Sequence, residues 1–327
     1  MGRKIKNIKK ILLIIFLNLI ILILLFFICD YFVYKTYINI YKTIPPYDIE
    51  NFHYEIITKK RVLKRELKTF RNWLRKPDGL QYKNKSKHSI VLFGCSYAYG
   101  EGLSQEQTLS YKLAKYLKTP VYNRALSWGN LQEMWYQVAA EGKSIYPSPL
   151  ADTYIYLMMY DHYNRMYSFF TIYTRRQYLN YIDKNNNLTT QIQRTPIESF
   201  LKASYLYRHI DNMILHKYLQ NPKNKDEIIN RAVKYIVNSK KELENQNGKD
   251  IKFIVIFYDN IDIKYEKELI EQLHKNSIYT IRTKDLTKEN LKNIKYTISN
   301  KDKHPNENAW NLLTPLIARE IQKIWEQ

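Results

Sequence analysis

The stretch Ser-Ile-Val-Leu-Phe-Gly-Cys-Ser, residues 89–96, decides the fold of this chain. Its first five residues form a short apolar run, which is typical of a strand buried on both faces of a parallel sheet. Gly94 then allows a tight turn, and Ser96 follows at the point where the strand ends. Active sites of open α/β sheets lie at this carboxyl edge. The stretch therefore predicts a buried strand that presents a serine hydroxyl at the edge of a sheet.

Further apolar runs predict more strands, and helical patterns separate them. The predicted strands are 120–122, 154–159, 251–257 and 277–282. The predicted helices are 107–117, 131–140 and 307–325. Strands that alternate with helices pair in parallel, and the helices cover both faces. We therefore predict an α/β fold with three α/β/α layers around a parallel sheet, over residues 86–327.

The segment from about 163 to 250 is longer than one crossover connection needs to be. Helical patterns near 196–219 and 225–245 predict that it is a helical insertion. Upstream of the sheet, residues 34–85 contain Pro45-Pro46 and a charged run from Lys59 to Lys76. We interpret residues 34–85 as a stalk with a short helical stretch.

The N-terminus has the pattern of a membrane anchor. Residues 1–10 carry five basic side chains, and from Ile11 to Ile28 the only polar side chain is Asn18. A run of about 18 to 20 apolar residues spans a bilayer as a helix, so we predict a transmembrane helix over 11–33. The run ends without the small residues of a cleavage site, which favours an uncleaved anchor. The basic residues before it predict a single-pass protein of the cell membrane, with a cytoplasmic N-terminus and an extracytoplasmic α/β domain.

Composition narrows the function classes. Lys plus Arg is 52 against 31 Asp plus Glu, a net charge of +21. Because the basic residues are spread along the chain and form no single stripe, we favour a solvated surface and predict no nucleic-acid partner. The two cysteines, Cys29 and Cys95, provide neither a disulfide framework nor a four-cysteine zinc site. The histidines outside the motifs show no metal-ligand spacing, so we predict no metal and no cofactor.

A second motif, Asp302-Lys303-His304-Pro305-Asn306, precedes the last predicted helix. A serine hydroxyl needs a neutral imidazole to accept its proton, and the imidazole needs a carboxylate to orient it. His304 and Asp302 could supply both groups from one loop. Each motif alone has a plainer interpretation, since Ser96 could be a helix N-cap and the His-Pro turn a capping loop.

Together the two motifs resemble the SGNH/GDSL hydrolases, in which a Gly-Asp-Ser block opens a flavodoxin-like domain and an Asp-x-(x)-His-Pro block closes it. The likeness runs from about Ile90 onward. It is greatest to a bacterial membrane-anchored subgroup with Gly-Cys-Ser, aromatic residues and Gly-x-Gly in its first block. The resemblance implies that Ser96 is the nucleophile, His304 the base and Asp302 the residue that orients His304.

The same resemblance implies an oxyanion hole. Its backbone donors would be Ser96 and a glycine after the second strand, for which we select Gly129 within a residue or two. The family's third block, Gly-x-Asn-Asp, is missing from this chain. His162 lies near the position of the family asparagine and could donate in its place, with Asn164 as the second candidate. A purely structural His162 remains an alternative.

Two other interpretations concern residues around the serine. Cys95 occupies the position of the family aspartate, and a cysteine nucleophile is the less favoured alternative because the family turn presents the third residue of the block. Four tyrosines near the motifs are candidates for a wall on which sugars stack. They are Tyr97, Tyr99, Tyr160 and Tyr163.

From these residues we expect a membrane-anchored serine esterase that removes acetyl or another small acyl group from a cell-surface carbohydrate. An O-acyltransferase that uses the same three residues is the first alternative, because a sugar hydroxyl can replace water as the acceptor. A catalytically decayed glycan-binding protein is the second, because the Gly-x-Asn-Asp block is missing. The expected partners are an acylated carbohydrate or another small ester and the membrane.

Overall fold

The computed structural model describes residues 14, 16–32, 53–58, 61–66, 69–70, 74–126, 129–141, 151–166, 188, 225–258 and 265–327. Near the N-terminus, residues 16–32 form helix α1, and most of its large apolar side chains are exposed. Within the described ranges, no helix combines the length and the apolar character needed to cross a bilayer. The rest of the description concerns residues 53–327, which contain the α/β sheet.

Two antiparallel strand pairs precede the main sheet. They are β1 (His53–Thr58) with β2 (Arg61–Glu66), and β3 (Thr69–Phe70) with β4 (Leu74–Arg75). These strands lie within residues 34–85, which we interpret from the sequence as a stalk. The pairing places β-branched residues opposite each other, as with Ile57 and Val62, and such residues favour strands.

The segment after β4 packs onto the sheet. Asp78 donates its backbone N–H to the carbonyl of Val121 and accepts the N–H of Val121 in return, both at 2.9 Å. The compact α/β part thus includes residues before the predicted boundary at 86, and the last part of the predicted stalk, from Arg75 onward, contributes to it.

The main sheet has five parallel strands in the order β6, β5, β7, β8, β9. These strands are β5 (Ile90–Gly94), β6 (Val121–Asn123), β7 (Thr153–Met158), β8 (Lys252–Phe257) and β9 (Tyr279–Arg282). Each one coincides with a predicted apolar run, so the predicted α/β fold with a parallel sheet is confirmed. Because β5 pairs with both β6 and β7, it is an interior strand of the sheet. Its C-terminal end therefore lies between two neighbouring strands.

Helices cover both faces of the sheet. After β5 they are α2 (Ser96–Tyr99), α3 (Leu109–Leu117), α4 (Leu131–Tyr136), α5 (Asp161–Arg165), α6 (Lys225–Asn247), α7 (Glu266–Lys275), α8 (Thr283–Leu286) and α9 (Glu307–Trp325). A π-helical turn, Gln137–Glu141, extends α4. Helix α6 confirms the helix predicted near 225–245, whereas the one predicted near 196–219 lies outside the described residues.

Successive strand residues point to opposite sides and fill two separate cores. On β5, Val91 and Phe93 pack into one core with residues of α4, α6 and α7. Ile90 and Leu92 pack into the other with residues of α2, α3 and α9. This alternation is what a strand buried on both faces requires, and it gives the three layers that the sequence predicts.

Helix α9 closes the second core. Its buried face carries Trp310, Leu313, Ile317 and Ile321 at spacings of three and four residues, and these side chains are fully buried. At its start the side chain of Asn306 accepts the N–H of Ala309 at 3.2 Å, which is the bond of an N-cap. The firm start of α9 fixes the loop that precedes it, and that loop carries His304.

Candidate active site

Ser96 lies directly after β5, as the first residue of α2. The N-cap of α2 is Cys95, whose side chain makes no capping hydrogen bond. The alternative that Ser96 is an N-cap residue is therefore wrong. As the first helical residue, Ser96 has a backbone N–H without an acceptor inside the helix, and its side chain keeps 6% exposure. Its hydroxyl therefore stays available to a neighbouring group.

The loop of Asp302 and His304 is held by its own hydrogen bonds. Asp302 Oδ1 accepts the backbone N–H of His304 at 3.0 Å, and Ser299 Oγ accepts the N–H of Asp302 at 2.9 Å. Ile298 donates its N–H to the carbonyl of His304 at 2.9 Å. Asn306 Nδ2 also donates to the carbonyl of Thr297 at 2.9 Å, which ties α9 to the same loop. The imidazole of His304 therefore projects from a fixed backbone.

The structure joins Ser96, His304 and Asp302 in one chain of hydrogen bonds, which we call the relay. Ser96 Oγ lies 2.8 Å from His304 Nε2, and His304 Nδ1 lies 2.5 Å from Asp302 Oδ1. A carboxylate can only accept, so Nδ1 carries its hydrogen toward Asp302 and Nε2 is left to accept the hydroxyl proton of Ser96. This is the arrangement in which a serine is activated for attack on an ester carbonyl.

The charges around the imidazole favour its protonated form. Burial lowers the pKa of His304, but the hydrogen bond to Asp302 and the charge of Glu101 outweigh it, so the pKa is raised above its ordinary value. Burial raises the pKa of Asp302, and its hydrogen bond to His304 reverses this, so that the pKa lies below its ordinary value. Asp302 thus stays ionised and stabilises the imidazolium that forms when Ser96 gives up its proton.

Tyr97 supports the relay. Its hydroxyl donates to the carbonyl of Lys303 at 2.9 Å, and its ring centroid lies 5.0 Å from that of His304. It also contacts Tyr258 edge-to-face, at 5.4 Å between ring centroids. Tyr97 therefore acts as a buried support under the histidine loop.

The sugar-stacking wall expected from four tyrosines is wrong for three of them. Tyr97, Tyr99 and Tyr163 are each at most 5% exposed, because their rings fill the two cores. Tyr160 is partly exposed and packs near Tyr163, with 6.5 Å between ring centroids. These rings contribute packing, and three of them have no face open to a sugar.

Gly129, the predicted second oxyanion donor, lies against the end of β5. A Cβ atom at this position would stand 2.4 Å from the carbonyl oxygen of Gly94, so a close backbone approach requires glycine here. Its N–H, however, donates to the carbonyl of Leu126 at 2.8 Å. The structure therefore places Gly129 beside the turn of Ser96 with its N–H already engaged.

His162, the predicted replacement for the family asparagine, is fully buried. Its Nδ1 lies 2.8 Å from the hydroxyl of Tyr156, and in the described part of the chain its Nε2 is buried without a hydrogen-bond partner. Burial lowers the pKa of His162 well below its ordinary value, and the charge of Arg165 adds to this, so the ring is neutral. A neutral, unmatched ring nitrogen suits a donor to an oxyanion. No described contact joins it to Ser96 or His304, and the side chain of Asn164 lies outside the described part.

Cys95 has the surroundings of a packing residue. Its Sγ is fully buried and lies 3.2 Å from Met159 Sδ. Burial raises the pKa of the Cys95 thiol, which opposes the thiolate that a nucleophile needs. These contacts disfavour the cysteine-nucleophile alternative.

Two charged residues that the sequence reasoning missed stand beside the relay. Glu101 Oε2 lies 3.9 Å from His304 Nε2. Arg165 pairs with Asp161 through Nη2 at 2.7 Å and donates from Nη1 to the carbonyl of Gly129 at 3.3 Å. The signal for Glu101 was its place in Gly-Glu-Gly, immediately after the serine block. Nothing in the sequence pattern pointed to Arg165, because its partner Gly129 lies 36 residues away.

Comparison with protein-family models and with curated proteins gave no match. Solved structures with a related arrangement include a carbohydrate esterase, at 13% identity over 73% of this chain and 66% of that one, with a TM-score of 0.41. A G-D-S-L family lipolytic protein of Desulfitobacterium hafniense matches at 11% identity over 71% of this chain and 99% of that one, with a TM-score of 0.41. An acetyl xylan esterase of Butyrivibrio proteoclasticus matches at 11% identity over 73% and 65%, with a TM-score of 0.44. At these values the assignment of an activity depends on the geometry of the site.

Proposed function

We propose that this protein is a serine ester hydrolase that removes acetyl or another small acyl group from a carbohydrate at the cell surface. The observation that carries the proposal is the relay in which Ser96, His304 and Asp302 are joined by hydrogen bonds of 2.8 and 2.5 Å. Three residues drawn from the two ends of the α/β part have no structural need to meet at the sheet edge in this order. Their combination is the one that acyl transfer through a serine requires.

The reaction takes place in two steps. Ser96 Oγ attacks the ester carbonyl, its proton moves to His304 Nε2, and the electrons of the carbonyl bond move onto the oxygen. The imidazolium then gives that proton to the leaving alcohol oxygen as the carbon–oxygen bond breaks, which leaves an acyl-serine. Water adds to the acyl group by the reverse sequence and releases the acid. Asp302 remains ionised throughout and keeps the Nδ1 hydrogen of His304 in place.

The developing oxyanion needs hydrogen-bond donors near Ser96. The backbone N–H of Ser96 and the ring N–H of His162 are the groups that we assign to this role, and Gly129 joins them if a small shift of its turn frees its N–H. A single donor of this kind contributes about 3 to 4 kcal/mol to transition-state stabilisation in other enzymes. Loss of the family asparagine therefore calls for a replacement, which His162 provides in this proposal.

The cell-surface location is part of the proposal and rests on the sequence. Five basic residues precede an apolar run from Ile11 to Ile28, which is the pattern of an anchor with a cytoplasmic N-terminus. The α/β domain would then work outside the cytoplasmic membrane, where acylated envelope sugars are within reach of a tethered enzyme. This placement is the reason for the choice of a carbohydrate ester.

The test uses the full-length chain and its Ser96→Ala variant, both purified in mild detergent from the membrane fraction. The wild-type chain should hydrolyse 4-nitrophenyl acetate and react with a fluorophosphonate probe at Ser96. The variant should do neither, while its far-UV circular dichroism and melting temperature stay unchanged. Ser299→Ala is not a suitable control because Ser299 holds Asp302, so Ser277→Ala serves instead, because Ser277 is exposed and lies before β9, at the opposite edge of the sheet. Equal turnover in Ser96→Ala and wild type would refute the proposal.

A further inference from the structure

The turn after α2 holds Glu101 in a defined place. Glu101 stands between Gly100 and Gly102, whose φ angles are 77° and 79°, in the left-handed region that glycine favours. A Cβ atom on Gly100 would come within 2.6 Å of Thr108 Cγ2. The N–H of Glu101 donates to the carbonyl of Ser96 at 2.9 Å. The acid is therefore tied to the nucleophile through one short backbone link.

A buried arginine holds the same turn from the other side. Arg75 Nη2 donates to the carbonyl of Gly100 at 2.7 Å and to that of Leu103 at 2.9 Å. Its guanidinium carbon lies 4.8 Å from the ring centroid of Tyr99, and the residue is 2% exposed. Because Arg75 binds the carbonyls of Gly100 and Leu103, on either side of Glu101, it fixes the backbone position of Glu101.

The carboxylate of Glu101 faces the atom of His304 that moves protons. Its Oε2 lies 3.9 Å from Nε2, and its side chain is 11% exposed, so water screens this charge only in part. Asp302 stands at the opposite nitrogen, Nδ1. The imidazole thus lies between two carboxylates, and one of them is on the side where Ser96 and the substrate must be.

Resting on the proposed function, we infer that Glu101 is a positioning residue of the same site, whose carboxylate stabilises the His304 imidazolium at Nε2 during acyl transfer. The proton that leaves Ser96 stays on Nε2 and then passes to the leaving alcohol, and Glu101 acts through His304.

The charged groups that face His304 set the expected pH behaviour. Asp302 on its own loop and Glu101 on the α2 turn raise the pKa of His304, whereas burial and Arg165 on α5 lower it. A catalytic imidazole must be neutral to accept the serine proton. Removing the charge of Glu101 lowers the pKa of His304, so the acid limb of the kcat/KM profile moves to lower pH. The maximal kcat falls at the same time, because the imidazolium loses a stabilising partner.

The test compares Glu101→Gln, Glu101→Asp and Glu106→Gln in the full-length chain. Glu106 is an exposed acid on the following turn and serves as the matched control. We expect Glu101→Gln to lose about tenfold in kcat, the size of effect typical of one charge partner. Its acid limb should move to lower pH, whereas Glu101→Asp and Glu106→Gln should keep the limb of the wild type. A Glu101→Gln limb at or above the wild-type pH would overturn the inference.

A second measurement needs no turnover. With ¹³C at histidine Cε1, the resonance of His304 among the seven histidines is assigned by its loss in His304→Ala and titrated in the Ser96→Ala background. Adding Glu101→Gln should lower the titration midpoint, and an unchanged midpoint would overturn the inference even if the enzyme assay failed. If wild-type chain neither hydrolyses aryl acetate nor labels at Ser96, the proposed function fails. If the wild-type chain hydrolyses aryl acetate and labels at Ser96, but Glu101→Gln has the pH profile and the His304 titration midpoint of the wild type, the inference alone fails.

Discussion

Replacing Asp302 with asparagine tests the core of the relay by exchanging one carboxylate oxygen for an amide nitrogen. The amide keeps the shape of the side chain but removes the negative charge that faces Nδ1 of His304 at 2.5 Å. Two unit charges about 4 Å apart interact by about 4 kcal/mol at an effective dielectric constant near 20. Because the side chain of Asp302 is 31% exposed, solvent screens part of this interaction. We therefore expect kcat to fall about 100-fold to 1,000-fold.

The sign of the pH effect follows from the same contact. Asp302 raises the pKa of His304, so its loss lowers that pKa and leaves the imidazole neutral at more acidic pH. The acid limb of Asp302→Asn should therefore lie below that of the wild type, although its maximum is much lower. The ratio of the variant's rate to the wild-type rate should therefore be higher at pH 5 than at pH 8.

The assay is hydrolysis of 4-nitrophenyl acetate by the full-length chain between pH 4.5 and 9. Asp250→Asn is the matched control, because Asp250 is exposed and lies before β8, at the opposite edge of the sheet. That control should retain wild-type rates and the wild-type acid limb. An Asp302→Asn enzyme that keeps more than a third of the wild-type kcat, with an unchanged melting temperature, would show that His304 does not depend on Asp302.

Two other substitutions test neighbouring residues. Cys95→Ala should keep most of its aryl acetate turnover, because the buried thiol only packs against Met159; a folded variant without turnover would favour the cysteine as nucleophile. Burial raises the pKa of Asp78 from 3.8 to about 6, so the folded chain holds this proton more tightly than the unfolded chain. The free energy of unfolding should thus lose about 2 kcal/mol as pH rises from 4 to 7, and Asp78→Asn should remove this loss. Urea unfolding at both pH values measures it, and an equal pH slope in Asp78→Asn would contradict it.

The main sheet could be predicted from the sequence because each strand is an isolated apolar run. A strand buried on both faces, such as Ile90–Gly94, needs apolar residues at every position. Helix α9 was equally clear, since its apolar face repeats every three to four residues and Asn306 marks its start. In these segments local pattern and tertiary role coincide.

The strands within the predicted stalk were not recognised because charge obscures the local pattern. The run from Lys59 to Lys76 is rich in Lys, which is depleted in strands. The pairing of Ile57 with Val62 shows that β-branched residues, which favour strands, face each other in this segment. Propensity is a weak guide where strand partners lie only a few residues apart.

For the site, residue identity predicted the relay but not its surroundings. Ser96, His304 and Asp302 occur in motifs that name their chemistry, and their contacts have the expected geometry. Glu101 lies five residues beyond Ser96, and its contact with His304 depends on the left-handed turn that the glycines beside it make. The N–H of Gly129 was assigned to an oxyanion, yet local turn geometry directs it to Leu126. Such contacts depend on backbone dihedral angles, which motif spacing does not encode.

The cap at the start of α9 has a consequence for how the molecule can be monitored. Asn306 fixes the helix and lies two residues after His304, so the imidazole reaches Ser96 only while α9 is seated on the sheet. Undocking of this last helix would break the relay while the five-stranded sheet stays paired. Labelling at Ser96 would then stop before the sheet melts. Labelling of Ser96 thus reports whether the C-terminal helix is packed on the sheet. It would detect partial unfolding that changes a bulk spectrum only slightly.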